Sequence, residues 1–325
     1  DLPLRADSMH KAFLDPRGEV AIVTTTKGDN FVVTSWRSKA ERCKRMEGVV
    51  IESVGWGKGI DPGREMRVLI GSSEGTLYEL ALDRGVGKGP DSSRPYAVAS
   101  FRKVYELPVH EELREKQAIC GLQWEKFPPS PSDKADKYLV MLTTPTRLYQ
   151  YVGGPTFEQL FDHEVYRINP GFRDLTGAED VPNAELHFYS KLCGGRSTSF
   201  AWLTGQGIYF GNLVFGSQSA HSPEVSQSPQ LLSYPPTPAA AAAVAAGGRM
   251  TMPSPPLSVA HTEFHFLALY PDRLEAICLV NKQRVMTIPL QGMDRGRGGA
   301  NRFLGLTTDS SDQRVWMYSC HGIFR

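Results

Sequence analysis

The stretch Val68-Leu-Ile-Gly-Ser-Ser-Glu-Gly-Thr-Leu-Tyr78 decides the fold. It opens on an unbroken apolar run, turns through Ser, Glu and Gly, and resumes with Thr, Leu and Tyr. β-Branched, aromatic and aliphatic runs on either side of a short glycine-bearing turn read as a β-hairpin. The same design recurs along the chain. Earlier, Val20-Ala-Ile-Val-Thr leads through Lys27-Gly-Asp-Asn to Phe31-Val-Val-Thr. Later, Tyr138-Leu-Val-Met-Leu leads through Thr144-Pro-Thr to Arg147-Leu-Tyr, and Phe200-Ala-Trp-Leu through Gly205-Gln-Gly to Ile208-Tyr-Phe. Phe266-Leu-Ala-Leu, Pro271-Asp-Arg and Leu274-Glu-Ala-Ile form a fifth copy, and Val315-Trp-Met-Tyr, Cys320-His-Gly and Ile323-Phe a sixth.

Several hairpins carry a further apolar strand ahead of them, as in Val49-Val-Ile-Glu-Ser-Val-Gly-Trp56, Ile119-Cys-Gly-Leu-Gln-Trp124 and Phe303-Leu-Gly-Leu306. Three strands per unit are legible, and a fourth on each outer edge completes a blade. Repeated four-stranded sheets are the building units of a β-propeller. The chain is therefore expected to be all-β, a single propeller domain over residues 1–325, with seven blades preferred over six. The seventh is sought in residues 155–195, where Glu185-Leu-His-Phe-Tyr189 offers a strand, or near 210–235. Phe127-Pro-Pro-Ser-Pro-Ser-Asp-Lys reads as a long loop, and residues 216–260, rich in Ser, Pro and Ala, as a low-complexity insertion. Inside it, Thr237-Pro238 ahead of Ala239 to Ala246 and Gly247-Gly248 has the signals of a short helix. A flexible loop is the favoured reading, because so short a helix is marginal without packing.

Composition agrees with many short strands. Among 325 residues, 41% are apolar and 22% charged, with 31 Gly and 23 Pro. Lys and Arg total 36 against 35 acids, which gives no global pull toward nucleic acid or acidic membranes. Cys43, Cys120, Cys193, Cys278 and Cys320 are odd in number and widely spaced, so neither a disulfide framework nor a zinc site is indicated. A reducing, cytosolic setting fits them. No apolar window approaches the ~18 residues of a spanning helix. The start at Asp1 and the stop at Arg325 suggest a fragment of a longer polypeptide.

The motifs that suggest chemistry mostly have plainer explanations. Gly55-Trp-Gly-Lys-Gly59 and Gly85-Val-Gly-Lys-Gly89 lack the leading glycine and the hydroxyl of a phosphate-binding loop, and read as turn glycines. Gly71-Ser-Ser-Glu-Gly-Thr76 has a faint likeness to the structural boxes of sialidase-type propellers. A propeller-type hydrolase would need two converging carboxylates at the axis. That is the alternative function, and no pair among the 35 acids stands out for it. His261 and His265, placed in one predicted strand, would lie roughly 13 Å apart on one face, too far to share a metal. Arg295-Gly-Arg-Gly-Gly299 resembles an RNA-stacking RGG patch but occurs once and reads as a loop. The densest charge lies in Arg37-Ser-Lys-Ala-Glu-Arg-Cys-Lys-Arg45, at +4. Arg37, Lys39, Arg42, Lys44 and Arg45 are thus the candidate patch for an anionic membrane or an acidic partner. A solvated strand and loop of the first blade is the favoured bland account.

Particular strings on these hairpins resemble a known family. They are Met9-His-Lys-Ala-Phe-Leu-Asp-Pro16, Ile51-Glu-Ser-Val-Gly-Trp56, Ile119-Cys-Gly-Leu-Gln-Trp-Glu125 and Thr143-Thr-Pro-Thr-Arg-Leu-Tyr149. Phe200-Ala-Trp-Leu-Thr-Gly-Gln-Gly-Ile-Tyr209 and Thr262-Glu-Phe-His-Phe-Leu-Ala-Leu-Tyr-Pro-Asp-Arg273 extend the match over most of the chain. Together they resemble the N-terminal β-propeller of the class C vacuolar protein sorting family called deep orange. The resemblance implies a non-catalytic scaffold of the HOPS and CORVET tethering complexes, with their other subunits as partners. It implies a cytoplasmic protein, peripheral on late endosomal and vacuolar or lysosomal membranes. No cofactor, metal, nucleic acid or small-molecule substrate is expected. The α-solenoid and zinc-binding RING of that family have no counterpart in this sequence, and the 216–260 insertion departs from its pattern.

Overall fold

A computed structural model describes residues 9–34, 41–57, 65–84, 96–127, 135–168, 170–175, 184–191, 195–215, 226–234, 255–290, 303–308, 314–319 and 322–324. The chain divides into two compact units, Asp1–Asp174 with Phe215–Val225, and Leu175–Val214 with Ser226–Arg325.

The first unit holds three antiparallel sheets of four strands, each in sequence order. They are β1 (Met9–Leu14), β2 (Ala21–Thr25), β3 (Asn30–Val33) and β4 (Glu41–Arg42); then β5 (Ile51–Trp56), β6 (Glu65–Ser72), β7 (Thr76–Arg84) and β8 (Tyr96–Glu106); then β9 (Gly121–Lys126), β10 (Tyr138–Thr143), β11 (Arg147–Gly153) and β12 (Phe172–Asp174). Between β11 and β12 lie two short helices, α1 (Phe157–Phe161) and α2 (Glu164–Ile168).

The unbroken apolar run of β6 follows from its position. Val68 and Ile70 pack with Val20, Ile22 and Ile51, whereas Leu69 packs with Leu122, Trp124, Val140 and Leu142. Both faces of the strand are covered by other sheets, so the in–out alternation of a half-buried strand gives way to continuous hydrophobicity. Each such aliphatic side chain contributes about 1.5–3 kcal/mol on full burial.

The turns have a shared chemistry. In four sheets a hydroxyl at the end of the second strand accepts a backbone N–H across the turn: Thr25 Oγ1 from Asp29 at 2.9 Å, Ser72 Oγ from Thr76 at 3.1 Å, Thr144 Oγ1 from Arg147 at 3.0 Å, and Thr204 Oγ1 from Gly207 at 3.2 Å. Such local bonds satisfy donors that the ladder leaves behind and fix the register of the third strand.

Helix α1 begins at Thr156, whose side chain accepts from Gln159 N at 3.2 Å. It buries Phe157, Leu160 and Phe161 in an aromatic cluster. Phe157 meets the Trp124 ring edge-on at 5.0 Å, and Phe161 stacks on Tyr105 of β8 at 5.0 Å. Arg102 of β8 ties the same region together. Its Nη2 donates to the buried carboxylate of Glu79 at 2.7 Å and its Nη1 to Glu158 of α1 at 2.8 Å.

The second unit holds the fourth sheet, β13 (Leu186–Tyr189), β14 (Ser199–Leu203), β15 (Gly207–Leu213) and β16 (Ser226–Ser233), and the fifth, β17 (Ser258–His261), β18 (His265–Leu269), β19 (Arg273–Cys278) and β20 (Arg284–Pro289). A sixth has three described strands, β21 (Phe303–Thr308), β22 (Val315–Ser319) and β23 (Gly322–Phe324). Ala201, Leu203, Ile208 and Leu232 of the fourth sheet share a core with Val259, Phe266 and Ile277 of the fifth. Ala260 and Leu269 in turn pack against Phe303 and Leu306.

All six sequence hairpins are present, each as the second and third strands of its sheet. The seven-blade expectation is not met among the described residues, which give five four-stranded sheets and one of three strands. The segments set aside for a seventh blade are used elsewhere. Leu186–Tyr189 pairs with β14 as the first strand of the fourth sheet, and Ser226–Ser233 is that sheet's outer strand. Residues 157–168 are largely helical. β16 lies within the 216–260 span, held by the buried Leu232 and by the Tyr234 hydroxyl, which donates to Thr204 O at 2.5 Å. The alanine run of 239–246 lies outside the described residues.

Candidate functional site

The basic stretch is partly visible. Arg37 and Lys39 lie outside the described residues. Arg42 belongs to β4, Lys44 and Arg45 to a 3-10 turn over Lys44–Met46. The turn is anchored by Met46, fully buried, whose carbonyl accepts from Asn30 Nδ2 at 2.6 Å. Arg42 is paired with Asp29, and with Glu47 at 3.0 Å. Arg45 Nη1 donates to the carbonyls of Val98 and Ala99 in β8. Lys44 is exposed. Two carboxylates outside the 37–45 window thus offset charge that the sequence count assigned to the patch. Neither was visible in that window, because Asp29 arrives from the preceding turn and Glu47 from the following one.

The glycines of Gly55-Trp-Gly57 are not turn glycines. Gly55 lies within β5, and its carbonyl accepts from the Trp124 indole Nε1 at 2.8 Å. A Cβ on Gly57 would sit 2.3 Å from Trp124 Cζ2. The missing side chain makes room for the indole of the neighbouring sheet. Gly85–Gly89 and Arg295–Gly299 lie outside the described residues.

His261 and His265 do not share a strand. They end β17 and begin β18, joined by a turn in which Thr262 Oγ1 accepts from His265 N at 3.0 Å. His261 is buried between the rings of Tyr189 and Phe266, each 4.8 Å away, and among the described residues its Nδ1 has no hydrogen-bond partner. Burial, reinforced by the nearby His187, lowers its pKa to about 3. Glu185 lies close by, with its Oε2 3.1 Å from His187 Nε2 and accepting from Ser258 Oγ at 2.9 Å.

Two buried carboxylates are held by arginines. Glu79 receives two bonds from Arg102, and Glu275 receives Arg273 Nε at 2.8 Å and Arg284 Nη1 at 3.1 Å. Both occupy the third strand of their sheet, with an arginine contributed by the fourth. Fixing a buried carboxylate between guanidiniums compensates its charge and braces the outer strand. Among the described residues, no group of three or more His, Cys, Asp or Glu could hold a metal, and no helix is long and apolar enough to cross a membrane.

What the sequence reading missed is a built rim on the first unit. Residues 107–118 make up most of the connection from β8 to β9, and they are stitched to the two neighbouring hairpin turns. Leu107 N donates to Gly75 O at 2.9 Å, and Gln117 Oε1 accepts from Thr144 and Thr146 hydroxyls at 2.7 and 2.8 Å. Within the loop the buried His110 is the anchor: its N–H donates to Glu115 O and its carbonyl accepts from Arg114 N, both at 2.8 Å. Arg114 adopts φ 54°, a left-handed conformation that costs a non-glycine residue about 1 kcal/mol. This fixed loop holds Val109 and Leu113 out to solvent at 51% and 50% exposure. Their exposure within a mixed-charge segment gives no periodic signal, so sequence alone could not single them out.

Four-stranded antiparallel sheets in sequence order, with strands buried on both faces by other sheets, define an all-β propeller whose exposed parts are rim loops and outer strands. The chain belongs to the Pep3/Vps18/deep orange beta-propeller family, whose model matches residues 1–325. It is 30% identical over 329 residues to the vacuolar sorting protein 18 of Arabidopsis thaliana, a match covering 98% of this chain and 30% of that protein. It is 28% identical to the vacuolar protein sorting-associated protein 18 homolog of Danio rerio, over 85% of this chain and 26% of that one. The homolog of the same name in Drosophila melanogaster is 23% identical over 79% of this chain and 23% of its own length. The chain thus spans less than a third of these relatives.

Proposed function

We propose that this chain is a non-catalytic scaffold module of a HOPS/CORVET-type tethering complex, acting in endosome-to-vacuole or lysosome trafficking from the cytoplasmic face of those membranes. With it we propose that residues 1–325 form one propeller domain. The observation that carries the reading is the family match over residues 1–325, shared with relatives named for vacuolar sorting. The geometry supports it, since buried carboxylates such as Glu79 and Glu275 are tied to arginines within their own sheets. Cross-linking mass spectrometry on the complex purified through the full-length protein tests it. Cross-links from residues 1–325 to other class C subunits are the expected result. A well-covered complex in which this region cross-links to none of them would overturn the reading.

For the basic stretch we propose an accessory contact with anionic lipid headgroups, favoured by the exposed Lys44 beside Arg45. At ~1 kcal/mol per basic residue near an anionic surface, Lys39→Glu with Lys44→Glu is expected to weaken binding to phosphatidylserine vesicles about tenfold or more. Equal flotation of the variant and the parent chain would remove the contact.

A further inference from the structure

We propose that the rim of the first unit built from residues 107–118 docks a basic, apolar-bearing segment of a partner protein, with Val109 and Leu113 as its anchors. The inference rests on the scaffold reading and specifies a surface for it. Half-exposed single aliphatics are common on protein surfaces, but these two are held in place. The buried His110, the left-handed Arg114 and the bonds to both neighbouring turns leave the loop little freedom to withdraw them. A surface ordered before binding loses less entropy on binding, which is what an interaction anchor needs.

The charges around the anchors select the occupant. Glu111, Glu112 and Glu115 of the loop, and Glu74 of the adjoining turn, are exposed, and none forms an ion pair among the described residues. Glu106 is shared by Lys103 and Lys116 and cancels one of them, so the other lysine and the Arg114 guanidinium stand against the four carboxylates and the surface stays net negative. A net excess of carboxylates beside exposed aliphatics attracts Lys and Arg flanking apolar side chains, and it repels anionic lipid headgroups and nucleic acid. The surface therefore suits a cationic protein segment and opposes a membrane.

Photo-cross-linking tests this in the full-length protein within its assembled complex. A photoreactive residue at position 113 is compared with one at position 280, where Val280 is exposed on the second unit. The expected product at 113 is a protein segment of net positive charge carrying aliphatic or aromatic residues. That segment, synthesised as a peptide, is expected to bind the 325-residue chain and to lose about tenfold or more in affinity with Val109→Asp plus Leu113→Asp. Glu111→Lys plus Glu112→Lys is expected to weaken it as well, and to flatten its salt dependence. Unchanged thermal unfolding of these surface variants separates lost docking from lost folding. Cross-linking to lipid, to an acidic segment, or to no product beyond that at position 280 would overturn the inference. So would an affinity indifferent to both variants. Cross-links from other parts of residues 1–325 to class C subunits would in that case leave the scaffold reading standing.

Discussion

Trp124→Ala is expected to lower the unfolding free energy by about 3–5 kcal/mol, and Gly57→Ala by about 1–3 kcal/mol. The two losses are expected to fall well short of adding in the double variant. The indole of Trp124 fills the space beside β5 that Gly55 and Gly57 leave open, and it has no room to retreat. Its Nε1 is bonded to Gly55 O at 2.8 Å, Phe157 meets its ring at 5.0 Å and Tyr138 at 5.9 Å. A methyl on Gly57 would therefore force the ring or the strand to move, since the nearest ring carbon would be 2.3 Å away. With the indole gone, the same methyl enters a cavity. Urea unfolding of the four chains, followed by far-ultraviolet circular dichroism, measures the coupling. Additivity within about 0.5 kcal/mol would mean that the two residues do not share the space assigned to them.

Acid is expected to weaken the second unit through His261. In the unfolded chain this imidazole titrates at its ordinary 6.5, whereas in the folded one burial holds it near 3. Between those values the unfolded state binds the extra proton, so stability falls as pH falls. The contribution is fully present above 6.5 and is lost progressively toward 3, at about 1.4 kcal/mol per pH unit inside the window. Among the described residues Nδ1 is without a partner, the rings of Tyr189 and Phe266 flank the imidazole, and His187 opposes a second positive charge. His261→Phe keeps an aromatic ring in the slot and removes the titration. Its unfolding free energy is expected to depend less steeply on pH than the parent's between 6.5 and 4. Parallel pH profiles for the two chains would show that His261 is not the group responsible.

The hairpins were legible because their signal is local. A hydroxyl, a glycine and two apolar runs lie within a dozen residues, and the Val68 to Tyr78 stretch carries all of them. The outer strands were harder to read. β16 is Ser226-Gln-Ser-Pro-Gln-Leu-Leu-Ser233, a polar string that becomes a strand because β15 offers it an unpaired edge. The two histidines were assigned to one strand because their spacing fits the period of a strand as well as it fits a turn, and Thr262 decides for the turn only through its bond to His265. In the basic patch, the local count of charge was right and its neighbourhood was invisible. Asp29 and Glu47 meet Arg42 only once β3 and β4 pair. Gly57 shows the same boundary: a glycine next to a tryptophan looks like a turn until the neighbouring sheet supplies a second indole.

Arg102 bridges β8 and α1 through two ion pairs that differ in their sensitivity to dissolved ions. One end of its guanidinium grips Glu79, whose side chain is 5% exposed, and the other grips Glu158, which is 61% exposed. Dissolved ions screen the outer contact far more than the inner one. Rising salt is therefore expected to loosen the Glu158 contact before the Glu79 contact, while Phe161 stacked on Tyr105 keeps the helix against the strand. The buried Glu79 thus keeps its arginine under conditions that would free Glu158 at the helix end.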